Sequence, residues 1–429
     1  MFGFANFLLL ALFAAAVFDL IFALARGGGL RGALHGLWNT PHLLFGQQLA
    51  EWRLQLGRIL FAAGLAAYEI SVVFCNSMAR QNWAWVQGVM SPVLEWLAFL
   101  CFGAKILFGT RYTWRELLAG GALYFIARWV YFNSQNIWWI GIVVAVLAAK
   151  DVPLRRPLQV YFASGCAAMA VVLALHFAGI VAPDLTSERM GALRGTYGYG
   201  HPNTFGGLVF GLVLAYALLR AQKVRWVDCL LVFAVGVFLL VGPASRSAAL
   251  CTLALAVGLV FCRLRAGHSV PRWWPGTCAG MMGLTAAVSY LLPLLVIKVG
   301  PWNNDIGPAW LAKLDSLLTC RISLTWMAYR LLDVKIAGQV FNWPTVDNSF
   351  AFALFQFGPV VAALLGILFA AALWGHAKQG RRVEVCCLFA MLAYAYMEVQ
   401  PFHLTTNPTA LLLCGAVFAQ TSARWQKIE

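Results

Sequence analysis

The chain has 429 residues, of which 62% are hydrophobic and 11% are charged, and its formal net charge is +15. Soluble globular chains are about 45–50% apolar and about 25% charged, so this composition excludes an ordinary soluble domain and predicts a membrane protein. A charge this positive would favour nucleic-acid binding in a soluble chain. In a membrane protein the cytoplasmic loops collect Lys and Arg, so we expect membrane lipids, and no nucleic acid, as partners.

Apolar stretches recur along the whole chain and are separated by short polar breaks. A helix needs about 20 apolar residues to cross the hydrocarbon core of a bilayer. The pattern predicts twelve or thirteen transmembrane helices, at about 4–25, 59–78, 88–109, 117–133, 135–149, 157–181, 204–221, 226–242, 247–263, 276–297, 349–374, 383–399 and 406–421. The expected fold class is an all-α, polytopic integral membrane protein, with residues 1–429 forming a single membrane domain.

The N-terminal part of the chain has features of its own. No basic region precedes the first apolar segment, and Arg26 and Arg31 follow it, which predicts an uncleaved first span with the N-terminus outside. Trp38 and Trp52 belong to a region that predicts an interfacial amphipathic helix. Charged residues within or beside later spans are expected to form interhelical pairs or to reach toward water; they are Glu69, Glu95, Lys105 and Arg128.

Five basic loops determine the predicted orientation. They lie at residues 150–156, 220–225, 263–272, 378–382 and 424–427. Alternating the predicted spans places all five on one side, which the positive-inside rule identifies as the cytoplasm. The opposite, outer face then carries one long loop at about 298–348, in which residues 309–332 are predicted to form a helix.

The cysteine pattern argues against metal or disulfide frameworks. The eleven cysteines lie mostly in apolar runs, and none forms a CxxC pair. The spacing therefore predicts neither a zinc site nor a disulfide network, because buried cysteine behaves as a small hydrophobe. We expect no metal ion and no cofactor.

One outer segment has the most unusual local sequence, Arg194-Gly-Thr-Tyr197-Gly-Tyr-Gly-His201-Pro-Asn203. Its glycines permit positive φ and close backbone approach, and Asn203 or the next threonine can cap the following span. The start of a helix favours anions through its free N–H groups and its dipole. The motif predicts either an anion-binding turn, with His201 as proton acceptor or hydrogen-bond donor, or only a capped turn with a satisfied histidine.

Two arginines on the predicted outer face are candidates for anion binding. Arg246 lies between two spans in the sequence Ser245-Arg-Ser247, where a charge is costly unless it is paired or hydrated. A guanidinium binds phosphate in bidentate fashion, so we favour function over simple exposure to outer water. In the long loop most charges are expected to be solvated, and Arg321 is our choice as the functional one.

Carboxylates and amides flank the last predicted spans. Asp347-Asn348-Ser349 begins one span, and capping alone would explain these residue types. Glu398 ends another span and is followed by His403 and Asn407. A carboxylate at that depth is expensive unless it has a partner, so Glu398 is expected either to pair with an outer arginine or to act as a base.

In their order along the chain, these elements resemble the polysaccharide repeat-unit polymerases of the Wzy type, which are related to O-antigen ligases. The likeness extends from about Lys105 to the C-terminus, and the His201-Pro-Asn203 motif after Arg194 carries most of it. It implies a GT-C-like bundle and a metal-independent glycosyltransferase of the bacterial cytoplasmic membrane. The implied active site faces the periplasm or the cell exterior.

The resemblance also implies a reaction and its partners. Such an enzyme transfers a growing glycan from polyprenyl pyrophosphate to the non-reducing end of another lipid-linked repeat unit. The implied partners are a polyprenyl-pyrophosphate-linked oligosaccharide, a chain-length regulator and a flippase. Two alternatives stay open: ligase-like transfer of the same donor glycan to another acceptor, and, from a different class, a transporter or flippase for polysaccharide or lipid.

The resemblance assigns roles to individual residues. Arg194, Arg246 and Arg321 are expected to stabilise the negative charge that develops on the pyrophosphate. His201, Asp347 and Glu398, in falling order, are expected to accept the proton of the attacking hydroxyl. The other residues expected to bind substrate are Asn203, Asn348 and His403, together with Tyr197, Tyr199 and Trp302 as platforms for sugar rings.

Overall fold

A computed structural model describes residues 2–25, 29–45, 50–181, 187–189, 192–296, 307–318 and 320–418, and regular structure there is almost entirely helical. The helices of its first part are α1 (Phe2–Ala25), α2 (Gly29–Asn39), α3 (Ala50–Cys75), α4 (Ala79–Asn82), α5 (Ser91–Phe108), α6 (Trp114–Ser134), α7 (Ile137–Ala148), α8 (Arg155–Phe177) and α9 (Pro202–Leu219). The remaining helices are α10 (Trp226–Val241), α11 (Arg246–Leu264), α12 (Trp274–Leu291), α13 (Ala309–Leu317), α14 (Arg321–Leu331), α15 (Ser349–Phe352), α16 (Pro359–Lys378), α17 (Arg382–Met397) and α18 (Cys414–Val417).

Short elements of other kinds interrupt or extend these helices. Five-residue π-helical turns lie at Val86–Met90 and Ala353–Phe357. Tighter 3-10 helices lie at Leu292–Leu295, Gln400–Phe402 and Pro408–Leu413. The strands form two antiparallel pairs, β1 (His42–Leu43) with β2 (Arg111–Tyr112) and β3 (Ser187–Arg189) with β4 (Ala192–Arg194).

The helices have the length and apolar surface of membrane spans. Within the described residues, eight are long and apolar enough to cross a bilayer: Asn6–Ala25, Glu51–Cys75, Val86–Phe108, Arg155–Phe177, Pro202–Leu219, Arg246–Leu264, Trp274–Leu295 and Pro359–Lys378. Large apolar side chains point away from the protein on several of them; Phe13 is 70% exposed and Val257 69%. An apolar exterior suits lipid rather than water, so the prediction of an all-α, multi-pass membrane protein is confirmed.

The number of spans differs from the predicted twelve or thirteen. Two of the remaining predicted spans are apolar but short helices, α7 and α10. Another, α6, carries Arg115, Glu116 and Arg128, and α17 has only 16 residues. The last predicted span, 406–421, is a 3-10 segment followed by the single turn of α18, and residues 419–421 lie outside the described part of the chain. Hydropathy alone predicts neither whether a segment is an α-helix or a 3-10 helix nor how long the helix is.

The predicted span 349–374 is broken rather than continuous. It begins as the single turn of α15, passes through a π-helical turn and stops at Gly358, whose φ is +86°, before α16 starts at Pro359. A Cβ atom built on Gly358 would lie 2.1 Å from the backbone oxygen of Ile336, so another stretch of chain occupies the break. Only glycine allows both this φ and this contact, and proline disfavours helical geometry in the residue before it.

The helix predicted over residues 309–332 is also divided in two. Cys320 adopts a left-handed conformation with φ +64° between α13 and α14. The carboxylate of Asp315 accepts hydrogen bonds from the backbone N–H groups of Ile322, at 2.7 Å, and Ser323, at 3.1 Å. Asp315 therefore caps the start of α14 and fixes where Arg321 lies.

The region predicted as an interfacial helix divides between two elements. The helix α2 occupies Gly29–Asn39 and contains Trp38, whereas Trp52 lies in the first turn of α3. That long helix begins at Ala50, earlier than the predicted start near residue 59, because its amphipathic first turns continue directly into the apolar stretch.

The chain divides into two compact units. Unit 1 comprises Met1–Arg128, Ile140–Leu208 and Ala410–Glu429, and unit 2 comprises Trp129–Trp139 and Val209–Thr409. In unit 1, α3 packs against both α5 and α8. In unit 2, α11 packs against α10 and α17, and α12 packs against α16. The single membrane domain expected from the sequence stays a prediction.

Two of the four charged residues predicted among the spans, Lys105 and Arg128, form hydrogen bonds to neighbouring elements of unit 1. The fully buried Nζ atom of Lys105 donates to Thr110 Oγ1 at 2.6 Å and to the backbone oxygen of Lys150 at 2.7 Å. Arg128 on α6 donates to Asn6 Oδ1 on α1 at 2.8 Å. Buried cations are stable only with such partners, so Lys105 and Arg128 have structural roles.

A close contact between α3 and the end of α5 provides a test of the packing in unit 1. A Cβ atom on Gly57 of α3 would lie 2.8 Å from the Cα atom of Gly109, which follows α5. We expect Gly57→Ala to lower the free energy of unfolding by about 1–3 kcal/mol through overpacking. In α12, nothing lies within 4 Å of a Cβ on Gly280, so Gly280→Ala should be neutral or stabilise by up to about 1 kcal/mol, since alanine is the better helix former.

Thermal unfolding of the purified protein in detergent, followed by circular dichroism, compares these two variants directly. Equal shifts of the unfolding midpoint for Gly57→Ala and Gly280→Ala would contradict the close approach of α3 and α5.

Candidate functional site

Side chains far apart in the sequence converge in unit 2 around one buried arginine. Arg321 Nη2 lies 3.0 Å from Glu398 Oε1 and 3.4 Å from Asp347 Oδ2. The Oγ atom of Ser247 donates to the same Glu398 oxygen at 2.8 Å, and Ser349 Oγ donates to the Glu398 backbone oxygen at 2.5 Å. We refer to these five residues as the Arg321 cluster.

Each member of the Arg321 cluster lies at the end of a helix. Arg321 is the first residue of α14, and Ser247 is the second residue of α11. Ser349 starts α15, two residues after Asp347. Glu398 follows the last residue of α17 with extended backbone angles, φ −143° and ψ 148°, which turn its side chain out of the helical path. Helix ends carry unpaired backbone groups and polar side chains, so four ends together form a polar centre.

Burial makes the pairing within the cluster obligatory. Arg321 is 9% exposed and Glu398 is 5% exposed. Arg321 Nε also donates to the backbone oxygen of Met397 at 2.9 Å, so the guanidinium is held from two sides. A buried charge without its partner would cost several kcal/mol. The prediction that Glu398 pairs with an outer arginine is thus the alternative that the geometry favours.

Asp347 is the more accessible of the two carboxylates. Its side chain is 25% exposed, compared with 7% for the side chain of Glu398. Glu398 accepts hydrogen bonds from both Ser247 and Arg321, whereas the Asp347 contact is a longer ion pair. Of the two, Asp347 is therefore better placed to exchange a proton with a molecule outside the protein.

Arg246 offers an exposed positive charge one residue from the cluster. It is the first residue of α11, its side chain is exposed, and it has no hydrogen bond or ion pair with any described residue. The next residue, Ser247, is buried and bonds to Glu398. Arg246 thus adds a cation at a helix N-terminus, where free N–H groups also favour an anion.

Asn348 caps a helix, as its position before a predicted span indicated. Its side-chain oxygen accepts from the backbone N–H groups of Phe350, at 2.9 Å, and Ala351, at 3.2 Å, and so caps α15. A part in substrate binding stays a prediction.

The capping role of Asn348 can be separated from substrate binding. We expect Asn348→Ala to lower stability by about 1 kcal/mol, and Asn348→Ser to retain nearly all of it, because serine also caps helices. Unfolding in detergent measures the stability, and glycan synthesis in cells measures the activity that the sequence resemblance implies. If Asn348→Ser were as stable as the native chain but inactive, Asn348 would bind substrate in addition to capping.

His403 is placed where it cannot act as a cation near neutral pH. Its ring lies 3.7 Å from that of Trp138 between centroids, and its Nδ1 atom is buried without a hydrogen-bond partner among the described residues. Burial lowers the pKa of His403 to about 3. A neutral imidazole beside tryptophan binds pyrophosphate poorly, although a contact with sugar stays a prediction.

The predicted motif around His201 is assembled within unit 1. Arg194 is 7% exposed, and its Nη2 atom donates to Asn203 Oδ1 at 2.9 Å. His201 is exposed, and its Nδ1 atom accepts from the backbone N–H of Asn203 at 3.1 Å. Because Nδ1 accepts a hydrogen bond, a neutral His201 carries its proton on Nε2. This geometry favours His201 as a hydrogen-bond donor over its predicted use as a proton acceptor.

The aromatic residues of the motif pack inside unit 1. Tyr197 has φ +52°, and its ring lies 4.9 Å from that of Phe205 between centroids. Tyr199 is fully buried and lies 5.7 Å from the same ring. A buried ring has no face for a sugar, so the expectation for Tyr199 is wrong in this structure. Trp302, the third predicted platform, lies outside the described residues.

Sequence reasoning missed two members of the Arg321 cluster. Ser247 and Ser349 appear in the motifs around Arg246 and Asp347, but nothing in the sequence distinguishes them from ordinary capping residues. The available signal was the cost of burying Glu398, which requires donors to its carboxylate. That cost predicts the kind of partner without identifying it.

Comparison with known proteins gives no relative from which a function can be transferred. No protein-family model matches this chain, no curated protein matches it, and no solved structure matches it. Among the described residues, no group of three or more His, Cys, Asp and Glu side chains could hold a metal ion. The residues around Arg321 in unit 2 and those around Arg194 in unit 1 are thus the two candidate sites.

Proposed function

We propose that this chain is a membrane glycosyltransferase that polymerises polyprenyl-pyrophosphate-linked oligosaccharide repeat units, as in the Wzy-type polymerases that its sequence resembles. The proposed location is the bacterial cytoplasmic membrane, with a GT-C-like bundle and an active site on its outer face. The observation that supports the proposal most is the Arg321 cluster, which combines a buried guanidinium, an accessible carboxylate and, one residue away, the exposed Arg246.

The proposed reaction requires a base at the attacking hydroxyl and a cation at the leaving pyrophosphate. The hydroxyl at the non-reducing end of the incoming lipid-linked unit gives its proton to Asp347, and its oxygen attacks the anomeric carbon of the growing glycan. The bond from that carbon to the pyrophosphate oxygen breaks, and the electron pair leaves with the polyprenyl pyrophosphate. Arg246 stabilises the negative charge that develops on the pyrophosphate. Such electrostatic stabilisation is usually the largest single contribution to the rate.

Within this proposal, the buried residues hold the reactive ones in place. Glu398, fixed by Ser247, orients the Arg321 guanidinium, and Arg321 in turn orients Asp347. In unit 1, Arg194 donates to Asn203 and the backbone N–H of Asn203 donates to His201, so these contacts fix the turn that carries His201. The proposed partners are the lipid-linked oligosaccharide, membrane lipids, a flippase that supplies it and a chain-length regulator.

A reconstituted assay tests this function directly. Lipid-linked repeat units are extracted from cells of the source organism that lack the chain and are added to the purified protein in liposomes. We expect a ladder of longer glycans on gels. If the protein bound the lipid-linked units without ever lengthening them, and Arg246→Ala left polymer production intact in cells, the proposed function would be wrong.

The same deletion cells distinguish a polymerase from a ligase. Loss of a polymerase leaves single repeat units on the lipid carrier, whereas loss of a ligase leaves long lipid-linked chains. We expect single units. Accumulation of long chains would assign the chain to the ligase reaction, which uses the same donor and a different acceptor.

One observation bears on the transporter alternative, namely the helix that is broken at Gly358. Transporters use broken helices to form binding sites near the bilayer midplane. Here the break is filled by the chain itself: the backbone N–H of Gln339 donates to the backbone oxygen of Gln356 at 3.2 Å, and Ile336 lies against Gly358. The Gln356 carbonyl is thus bonded within the chain and the space at Gly358 is occupied, which favours the enzyme over a transport site at this break.

A further inference from the structure

Two cysteines come into contact between the helices that carry Ser247 and Glu398. The Sγ atoms of Cys262 on α11 and Cys386 on α17 lie 3.6 Å apart, although the residues are 124 positions apart in sequence. The helices also approach closely at Gly258, where a Cβ atom would lie 3.1 Å from the sulfur of Cys386.

The contact lies at the opposite end of the helix pair from the Arg321 cluster. On α11, Ser247 lies in the first turn and Cys262 in the last turn. On α17, Cys386 lies near the start and Glu398 just beyond the end. The two helices are therefore antiparallel, and they are joined by Ser247–Glu398 at one end and Cys262–Cys386 at the other.

The two thiols differ in exposure, so the more exposed one is expected to react first. Cys262 is 7% exposed, whereas Cys386 is partly exposed.

The end of the helix pair that carries the two thiols is held to a loop. Arg382 donates to the backbone oxygens of Arg265 and His268, each at 2.6 Å, and so connects the start of α17 to the loop after α11. This loop is one of the basic loops that the positive-inside rule assigns to the cytoplasm.

We propose that Cys262 and Cys386 are an oxidisable dithiol that a peroxide converts to a disulfide linking α11 to α17. The sulfur of Cys386 attacks one oxygen of hydrogen peroxide, which gives a sulfenic acid and one water. The sulfur of Cys262 then attacks the sulfenic sulfur, the S–S bond forms, and the hydroxyl leaves as a second water. Two thiols and one peroxide thus yield one disulfide and two waters.

The geometry requires little movement for this reaction. A disulfide bond is about 2.05 Å long, so the sulfurs must approach each other by about 1.5 Å. Cytoplasmic thiols are normally kept reduced, so the native chain carries the free dithiol and forms the bond only under oxidative stress. The proposal does not depend on the proposed glycosyltransferase activity.

Peptide mass spectrometry tests the dithiol in the full-length protein. Membranes that contain the native chain are treated with hydrogen peroxide, remaining thiols are blocked with a maleimide, and the digest is searched for linked peptides. We expect the peptide pair containing Cys262 and Cys386 to be the main disulfide product, and dithiothreitol to remove it. Oxidation of Cys386 to sulfinic acid without this link would overturn the proposal.

Variants check that the pair is specific. In Cys262→Ser, peroxide should oxidise Cys386 to sulfenic acid or a higher oxidation state. Cys386 should form no disulfide with another cysteine. Cys251→Ser provides the matched control, because Cys251 is a buried cysteine of the same helix. This substitution should leave the link between Cys262 and Cys386 unchanged. Should peroxide link Cys386 to another cysteine of the native chain instead, the assigned pair would be wrong.

Discussion

Arg321→Met is expected to lower the free energy of unfolding by about 3–5 kcal/mol, the cost of leaving a buried charge without its partner. Removing the guanidinium takes the ion-pair partner from the carboxylate of Glu398, which is 5% exposed and also accepts a hydrogen bond from Ser247. Chemical unfolding of the purified protein in mixed detergent micelles, followed by tryptophan fluorescence, measures the change.

The double variant Arg321→Met/Glu398→Leu separates the ion pair from mere loss of packing. With both charges removed, most of the lost stability should return, because replacing a buried pair by apolar residues is often neutral. If the double variant were as unstable as the sum of both single variants, the two residues would not be coupled, and the Arg321 cluster would not be the structural centre described above.

Arg246→Ala is expected to lower glycan polymerisation by about 100- to 1,000-fold, the effect of losing one preorganised contact to a developing negative charge. The unfolding midpoint should stay nearly unchanged, since Arg246 is exposed and has no partner among the described residues. The assay is extension of lipid-linked repeat units by protein in liposomes. Arg246→Lys should retain part of the rate, because lysine keeps the charge and loses the bidentate geometry.

Arg263→Ala is the matched control for this prediction. Arg263 is also an exposed arginine of α11, in its last turn, at the other end of the helix from Arg246. The rate should not change when it is replaced. A loss of equal size in both variants would indicate a general effect of positive charge on membrane insertion, and the role proposed for Arg246 would be rejected.

Much of the helical framework could be predicted from hydropathy. Eight predicted spans correspond to helices of spanning length, because about 20 consecutive apolar residues leave few other structures in a bilayer. The breaks were not predictable in the same way. Gly358 interrupts a predicted helix because Ile336, from a separate stretch of chain, lies against it, and Cys320 interrupts another because Asp315 caps the start of α14.

The candidate site, like the helices, could be predicted from the sequence only in part. The cost of a buried carboxylate predicted that Glu398 would either pair with an outer arginine or act as a base, and the structure pairs it with Arg321, 77 positions away in sequence. Spacing could not select this partner over the other outer arginines, because no periodic pattern links residues so far apart. For Cys262 and Cys386 there was no signal at all, since cysteine in an apolar helix is ordinary.

The contact between Gly57 and Gly109 has a consequence for how the protein is assembled. Membrane helices insert individually and then associate, and small residues let their backbones meet. A contact made by two glycines requires no search among side-chain rotamers and loses no side-chain entropy. We therefore expect α3 and α5 to associate as an early intermediate during biogenesis, and to provide the surface on which α8 then docks.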